Sequence, residues 1–334
     1  MKKFINNVDD ILVESLGGFA AAHHDLVDLH LDPNYLTRAT PARDKVALIS
    51  GGGSGHEPLH AGYVGYGMLD AACPGHVFTS PSPDQMLAAA ETVHAGKGVL
   101  FIVKNYAGDV MNFEMAAEML PFESATVLTS DDVAVTNSTY TTGRRGVAGT
   151  VIVEKCVGSL AETGADLAAC KALGDKVNRR TGSMGVALTS CTVPAAGRPT
   201  FDIGDTELEM GVGIHGEPGR RREPMRAADA IVADLVEAIL QDFEASGQKP
   251  GKGQEVLLLV NGFAGTPLME LYLLYNTAAR LLGQHGLTVS RSLVGNYVTS
   301  LEMAGASVTV CLLDDEIKRH WDSPVHTAAL RWGR

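Results

Sequence analysis

Cysteine and basic residues are scarce in this sequence. It has five cysteines, an odd number, none of them in a Cys-x-x-Cys pair or at the spacing of a zinc site, so neither a disulfide framework nor a zinc centre is expected. The formal net charge of -12 argues against the basic surface that nucleic acids and anionic membranes require. We therefore expect reduced, mostly buried thiols and neither a nucleic-acid nor a membrane partner.

Long apolar runs are missing too. No stretch approaches the roughly 20 apolar residues of a transmembrane helix. The first residues include Lys2 and Lys3, but asparagine, aspartate and glutamate soon interrupt the apolar run that a signal peptide would need. These features predict a cytoplasmic protein.

Nucleotide-binding motifs are also absent. The sequence has no G-x-x-x-x-G-K-[ST] phosphate loop, and the glycine-rich segment 51–58 departs from G-x-G-x-x-G because His56 replaces the last glycine. No carboxylate cluster suited to Mg²⁺ is evident either. We therefore expect this chain to bind no metal and no nucleotide of its own.

The order of elements indicates an α/β fold. Strand-like and helix-like patterns alternate from Lys45 onward, and the length exceeds that of one ordinary core. We predict two α/β domains, each with a central mixed or largely parallel sheet flanked by helices. The first covers residues 1–183, the second covers 184–314, and the tail 315–334 packs back on the first. The predicted strands are 46–50, 99–103, 125–128, 185–188, 256–261 and 308–313, and the predicted helices are 84–94, 147–163, 227–243 and 268–282.

A glycine-rich loop is predicted directly after the strand 46–50. Glycines there would let backbone amides approach a ligand closely and adopt positive φ. The same segment contains His56-Glu57-Pro58-Leu59-His60, which formally matches the H-E-x-x-H pattern of zinc proteases. Those enzymes place both histidines on one helix, and Pro58 would interrupt it. A zinc site is therefore a remote alternative.

Two further polar segments contain candidate site residues. Asp109 and Lys104 follow the strand 99–103, and ligands gather at the carboxyl ends of parallel strands. Asp109 could act as a general base and Lys104 as a charged donor; alternatively, Asp109 caps a helix over 111–119. His215 lies between Gly213 and Gly216, where no neighbouring side chain shields it. That setting suits a reactive imidazole, although the motif alone is equally compatible with a structural histidine.

Two arginine-containing segments have weaker signals. The run 220–222 is predicted to be a solvated loop, with a phosphate or partner contact as the alternative because it lies close to His215. Arg144 and Arg145 are predicted to fix a contact between elements, with a partner carboxylate as the alternative. The segment 261–267 is predicted to be a packing turn.

Taken together, the segments 51–58, 104–109 and 211–219 resemble the three signature segments of the substrate-binding, K-type subunit of dihydroxyacetone kinases. The resemblance extends over essentially the whole chain. It implies that the ketone carbon of the substrate forms a hemiaminal with His215, while His56 and Asp109 move protons. The substrate-binding residues that it implies are Gly53, Ser54, Gly55, His56, Lys104, Asp109 and His215.

The resemblance also implies partners. ADP or ATP with Mg²⁺ would be carried by a separate L-type subunit, since 334 residues leave no room for a fused nucleotide domain. A phosphoenolpyruvate-dependent relay would add an M-type phosphotransferase subunit, and the chain itself would form a homodimer. Two alternatives stay open: a dihydroxyacetone-sensing paralogue that regulates transcription without catalysis, and an ATP-dependent kinase for a related ketose such as erythrulose.

Overall fold

The computed structural model describes residues 2–139 and 141–334. These residues form two six-stranded sheets and one small three-stranded sheet. The strands are β1 (Val27–His30), β2 (Tyr35–Arg38), β3 (Ala47–Ser54), β4 (Gly65–Tyr66), β5 (Ala71–Val77), β6 (Val99–Lys104), β7 (Ser124–Thr129), β8 (Thr181–Ala187), β9 (Glu207–Met210), β10 (Arg221–Pro224), β11 (Glu255–Gly262), β12 (Thr288–Gly295), β13 (Gly305–Leu312), β14 (Val325–Thr327) and β15 (Arg331–Trp332). The helices are α1 (Ile11–Ala22), α2 (Pro83–Val93), α3 (Ala107–Met119), α4 (Gly149–Glu162), α5 (Leu167–Arg179), α6 (Ala228–Ala245), α7 (Leu268–Gln284) and α8 (Asp315–Asp322).

The first sheet has the strand order β1-β2-β5-β3-β6-β7. Strands β5, β3, β6 and β7 run parallel, while β1 and β2 form an antiparallel edge. β6 is buried along its whole length, as expected of a parallel strand covered on both faces. Helices α2 and α3 cover one face of this sheet.

The second sheet has the order β10-β9-β8-β13-β11-β12. Of its described strands, β11 and β12 alone pair in parallel, across the helix α7 that connects them; the other pairs are antiparallel. Helices α6 and α7 pack on one face. The predicted fold class is therefore confirmed, with a largely parallel first sheet and a mixed second sheet.

Helix α4 lies between the two sheets. One apolar cluster joins Leu100 of β6, Val151 and Val157 of α4, and Leu257 and Leu259 of β11. Alternate β11 residues face the opposite cluster under α6 and α7, so the strand is apolar at successive positions because both its faces are buried. The shared layer fixes the two sheets against each other.

The C-terminal segment lies against α4 and β4. β14 pairs with β4, and the Lys155 ammonium of α4 donates to the His320 carbonyl at 2.7 Å. β8 begins at Thr181, two residues before the predicted boundary at 183/184, which stays a prediction. None of the helices in the described ranges combines the length and apolar character needed to cross a membrane.

The prediction of a solvated loop over 220–222 is correct for solvation, since all three arginines are exposed. It is wrong for the loop at the last two residues, because β10 begins at Arg221 and pairs with β9. The Arg220 Nη2 donates to the Val133 carbonyl at 2.6 Å, and the Arg222 Nε donates to Glu209 Oε2 at 3.1 Å. The run of charged residues conceals the strand in the sequence, because the pairing with β9 and the contact of Arg220 with Val133 involve other segments of the chain.

Candidate functional site

Three segments converge where the first sheet meets the second. His56 follows β3, Asp109 lies in the first turn of α3 after β6, and His215 lies in the turn after β9. The rings of His56 and His215 have their centroids 4.6 Å apart and meet edge to face. Asp109 and His215 line the same cleft, of about 810 Å³. The structure therefore brings together the three residues that sequence reasoning singled out.

The predicted glycine-rich loop is in part a strand. β3 continues through Ser54 and pairs with β5 along the glycines, so the loop prediction is wrong for residues 51–54. A Cβ on Gly53 would lie 2.6 Å from the Thr79 amide nitrogen and 2.8 Å from the Phe78 carbonyl carbon. Glycine at position 53 lets the backbone of residues 78–79 approach β3 closely. Gly55 is favoured for a different reason, because its φ of +103° is one that other residues rarely adopt.

His56 is held as a buried, neutral imidazole. Its side chain is 0% exposed, and its Nδ1–H donates to the Thr299 carbonyl at 2.8 Å. Burial and the neighbouring His215 and Lys104 hold the pKa of His56 well below the usual histidine value. The other nitrogen, Nε2, is buried and has no hydrogen-bond partner among the described residues. It therefore presents a lone pair that can accept a proton.

His60 has a different environment from His56. Its Nδ1 lies 2.6 Å from Glu154 Oε1, and its Nε2 lies 3.0 Å from the Lys104 Nζ. Residues 55–60 form bends and turns, so the helical geometry of an H-E-x-x-H zinc site is absent from this described segment. Nor do residues 2–139 and 141–334 contain a group of three His, Cys, Asp or Glu side chains arranged for a metal.

Lys104 links the glycine strand to Asp109. Its buried ammonium donates to the Gly51 carbonyl at 3.3 Å and lies 3.7 Å from Asp109 Oδ2. Glu154 lies on the other side of the His60 ring from Lys104. Burial raises the pKa of Glu154 to about 8, although the charge of Lys104 lowers it. The ammonium thus has Asp109 as its nearest carboxylate and His60 as a hydrogen-bond acceptor.

Asp109 does not cap α3. The helix begins at Ala107, so the N-cap position falls on Tyr106 and Asp109 lies within the first turn. The alternative of a capping aspartate is therefore wrong. Asp109 is 4% exposed, and its Oδ1 has no hydrogen-bond partner within the described part of the chain. A buried carboxylate oxygen without a partner is costly unless a bound molecule supplies the hydrogen bond.

His215 is fixed by a carboxylate two residues away. Its Nδ1 lies 2.9 Å from Glu217 Oε1, and its backbone N–H donates to Glu217 Oε2 at 2.9 Å. Burial would raise the pKa of Glu217, but its electrostatic interaction and hydrogen bond with His215 and the charge of Arg145 outweigh it and hold that pKa at about 2. The ionised Glu217 selects the Nδ1–H tautomer, which leaves a lone pair on the His215 Nε2.

Aromatic rings surround the two histidines. Phe78 stacks on His56 at a centroid distance of 4.9 Å and meets the edge of His215 at 5.1 Å. Tyr106 meets His215 at 4.7 Å. The His215 side chain is 17% exposed, so the walls shield most of the ring and leave part of it open to the cleft.

Sequence reasoning missed several residues of the site. Glu217 had a local signal, since it lies two residues after His215 within the segment 209–219. Thr299, which orients His56 through its carbonyl, lies 243 positions away in the chain and has no local signal. Phe78 and Tyr106 read as ordinary apolar residues until the fold places them against the histidines.

The Dak1 domain family model matches residues 17–329. The PEP-dependent dihydroxyacetone kinase, dihydroxyacetone-binding subunit DhaK, of Escherichia coli (strain K12) is 50% identical over an alignment of 357 residues that covers 100% of both chains. The L-erythrulose kinase of Pectobacterium atrosepticum is 40% identical over 339 residues, which cover 100% of this chain and 57% of that protein.

Two solved structures have the same fold. The dihydroxyacetone kinase operon co-activator Dha-DhaQ superimposes with a TM-score of 0.88 at 33% identity, covering 97% of this chain and 98% of the other. The dihydroxyacetone kinase from C. freundii, in complex with AMP-PNP and Mg²⁺, superimposes with a TM-score of 0.86 at 33% identity, covering 99% of this chain and 61% of that longer one.

Proposed function

The chain belongs to the Dak1 domain family, and on this premise we propose that it is the dihydroxyacetone-binding subunit of a dihydroxyacetone kinase. The substrate is held as a hemiaminal on the His215 Nε2. The observation that carries this proposal is the Glu217–His215 pair at 2.9 Å, because it leaves a nucleophilic lone pair on a histidine ring that is open to the cleft.

The covalent step conserves protons overall. The Nε2 lone pair of His215 attacks the carbonyl carbon, and the electrons of the C=O π bond move to the oxygen. The oxygen takes up one proton, while the ring, cationic after the attack, releases its Nδ1 proton toward Glu217. A substrate without a carbonyl, such as glycerol, cannot be held in this way.

His56 exchanges the proton of the new carbinol. When the adduct breaks down, its Nε2 lone pair accepts the carbinol proton and passes it to solvent; when the adduct forms, Nε2 takes a proton from solvent and delivers it to the former carbonyl oxygen. The contact between the two rings and the unpartnered Nε2 among the described residues support this assignment.

Asp109 acts on the terminal hydroxyl. The Asp109 Oδ1, which has no hydrogen-bond partner among the described residues, accepts the proton of the hydroxyl that attacks phosphorus. The ammonium of Lys104 compensates the negative charge of Asp109. The nucleotide and Mg²⁺, which would neutralise the transferring phosphoryl group, come from an L-type partner subunit. We also propose a phosphoenolpyruvate relay through an M-type subunit, and a homodimer of this chain.

Two alternatives have support from relatives. A sensing role resembles the co-activator, which is 33% identical, but the kinase from C. freundii is 33% identical as well. The 50% identity to the dihydroxyacetone-binding kinase subunit over its full length, together with His56, Asp109 and His215 in one site, favours the kinase subunit. Erythrulose kinases are 37 to 40% identical, and the cleft has room for a fourth carbon.

Reconstitution tests the proposal. The chain is mixed with a nucleotide-bearing L-type subunit and its phosphoryl donor, and phosphorylation of dihydroxyacetone, erythrulose and glycerol is followed. We expect triose phosphate from dihydroxyacetone, none from glycerol, and none with His215→Ala. Ketone binding by the chain without any phosphorylation would establish the sensor instead. Faster turnover of erythrulose than of dihydroxyacetone would reassign the substrate.

A further inference from the structure

The guanidinium of Arg145 lies buried behind the turn that carries His215. Its side chain is 0% exposed. The Nε donates to Asp132 Oδ2 at 2.7 Å, and the Nη2 donates to the Gly211 carbonyl at 2.8 Å. Asp132 belongs to the segment after β7, which bridges to β8, whereas Gly211 opens the turn after β9. Arg145 therefore ties the turn of His215 to the segment that follows β7.

The remaining nitrogen of Arg145 lies close to Glu217. Nη1 has no hydrogen-bond partner among the described residues. A Cβ built on Gly213 would lie 2.7 Å from Nη1 and would also collide with the Glu217 carboxylate. The guanidinium and the carboxylate thus approach the same point of the backbone, and Gly213 has no side chain to keep them apart.

The positive charge of Arg145 stabilises the ionised form of Glu217. A carboxylate that is 3% exposed loses most of its hydration and needs a compensating positive charge. The charge of Arg145 lowers the pKa of Glu217, after the larger opposing effect of burial and the effect of His215. Because Arg145 is itself paired with Asp132, the charge is held in place.

We infer that Arg145 is a positioning residue for His215: it holds the 211–217 turn against the segment that follows β7 and supplies the charge that keeps Glu217 an acceptor of the Nδ1–H. This inference rests on the proposed covalent role of His215. It assigns the choice of imidazole tautomer to a pair of residues, Asp132 and Arg145, that lie outside the substrate cleft. Neither residue contacts the reacting atoms.

Arg144 is a matched control for Arg145. It is the preceding residue and also forms an ion pair, donating from Nη1 to Asp242 Oδ2 on α6 at 2.9 Å, but its side chain is 34% exposed and directed to another element. Arg145→Gln and Arg144→Gln each remove one arginine and one ion pair. The inference predicts that the first alone changes the tautomer of His215.

The test uses the full chain labelled with [15N]histidine, without ketone, so that the ring nitrogens of His215 report the tautomer directly. The same samples then receive [2-13C]dihydroxyacetone, and the tetrahedral carbon signal measures the adduct. For Arg145→Gln we expect a mixture of tautomers and about a tenfold weaker adduct, because the hydrogen bond to the Gly211 carbonyl and the charge near Glu217 are both lost. Arg144→Gln should match the wild type in both readouts.

The outcomes separate the two proposals. If the wild type forms no adduct, the proposed function fails, whatever Arg145 does. If the wild type forms the adduct and folded Arg145→Gln keeps both the Nδ1–H tautomer and wild-type affinity, Arg145 is structural only and the inference is overturned. Should Arg145→Gln not fold, Arg145→Lys decides, since it keeps the charge. We expect the Nδ1–H tautomer in that variant, and the opposite tautomer in a folded sample would overturn the inference.

Discussion

Replacing Glu217 by glutamine tests how the reactive ring is prepared. Glu217→Gln keeps the size of the side chain but removes the charge that accepts from His215 at two positions, Nδ1 and the backbone N–H, each at 2.9 Å. The new amide can also present its NH₂ group to Nδ1. The ring would then carry its proton on Nε2, the nitrogen that we propose attacks the ketone.

The size of the effect follows from the bond that is lost. A hydrogen bond to a charged group contributes about 1.5 to 3 kcal/mol net, which corresponds to about a tenfold to hundredfold change in an equilibrium constant. We therefore expect dihydroxyacetone to bind Glu217→Gln about ten to a hundred times more weakly. Turnover with the partner subunit should fall by at least as much.

Titration of the variant with [2-13C]dihydroxyacetone measures the loss of affinity. Glu223→Gln is a suitable control, because Glu223 is a carboxylate of the neighbouring strand β10 that pairs with Arg221 rather than with a histidine. Wild-type affinity in Glu217→Gln, with the proton still on Nδ1, would refute the role given to Glu217.

Three further predictions concern the rest of the site. Asp109→Asn should leave ketone binding within about tenfold of wild type while removing turnover, and an unchanged kcat would refute its role as base. Gly53→Ala should lower both thermal stability and ketone affinity, because the new Cβ would collide with the backbone of Phe78 and Thr79. Gly17→Ala is the control, since a Cβ there meets nothing within 4 Å, and equal melting temperatures for the two variants would contradict the steric account. Glu154, whose pKa burial raises to about 8, should contribute stability that is fully present below about pH 4.5 and is lost as the pH rises through 8. Urea unfolding should therefore show that the free energy of unfolding of Glu154→Gln rises relative to that of the wild type between pH 5 and pH 9. A difference between the two free energies that does not vary with pH would refute the raised pKa of Glu154.

The parts of the site that could be predicted are those with a local signal. His56, Asp109 and His215 each follow an apolar run, so their place at the end of a strand could be predicted from hydrophobic pattern and chain order. Their orientation could not. The orientation of His56 depends on the Thr299 carbonyl and on the contact with the His215 ring. Both partners lie far from His56 in the chain, and the sequence around His56 gives no signal for either.

The errors have similar physical causes. Segment 51–54 looked like a loop because glycine is rare inside strands, yet close packing against β5 and the 78–79 backbone requires small residues there. The alternative helix over 111–119 begins four residues later than α3, whose first turn contains Gly108, a residue of low helix propensity. The Arg145 contacts join residues 13 and 66 positions apart, so only the fold reveals them.

The covalent bond itself is the central claim, and its most direct measurement is a one-bond 13C–15N coupling. The protein is labelled with [15N]histidine and saturated with [2-13C]dihydroxyacetone. The account predicts that the ketone carbon becomes tetrahedral and couples to the Nε2 of a single histidine, and that the coupled signal is absent from His215→Ala. A bound ketone that keeps its trigonal carbonyl carbon, or a coupled signal that survives His215→Ala, would contradict the account.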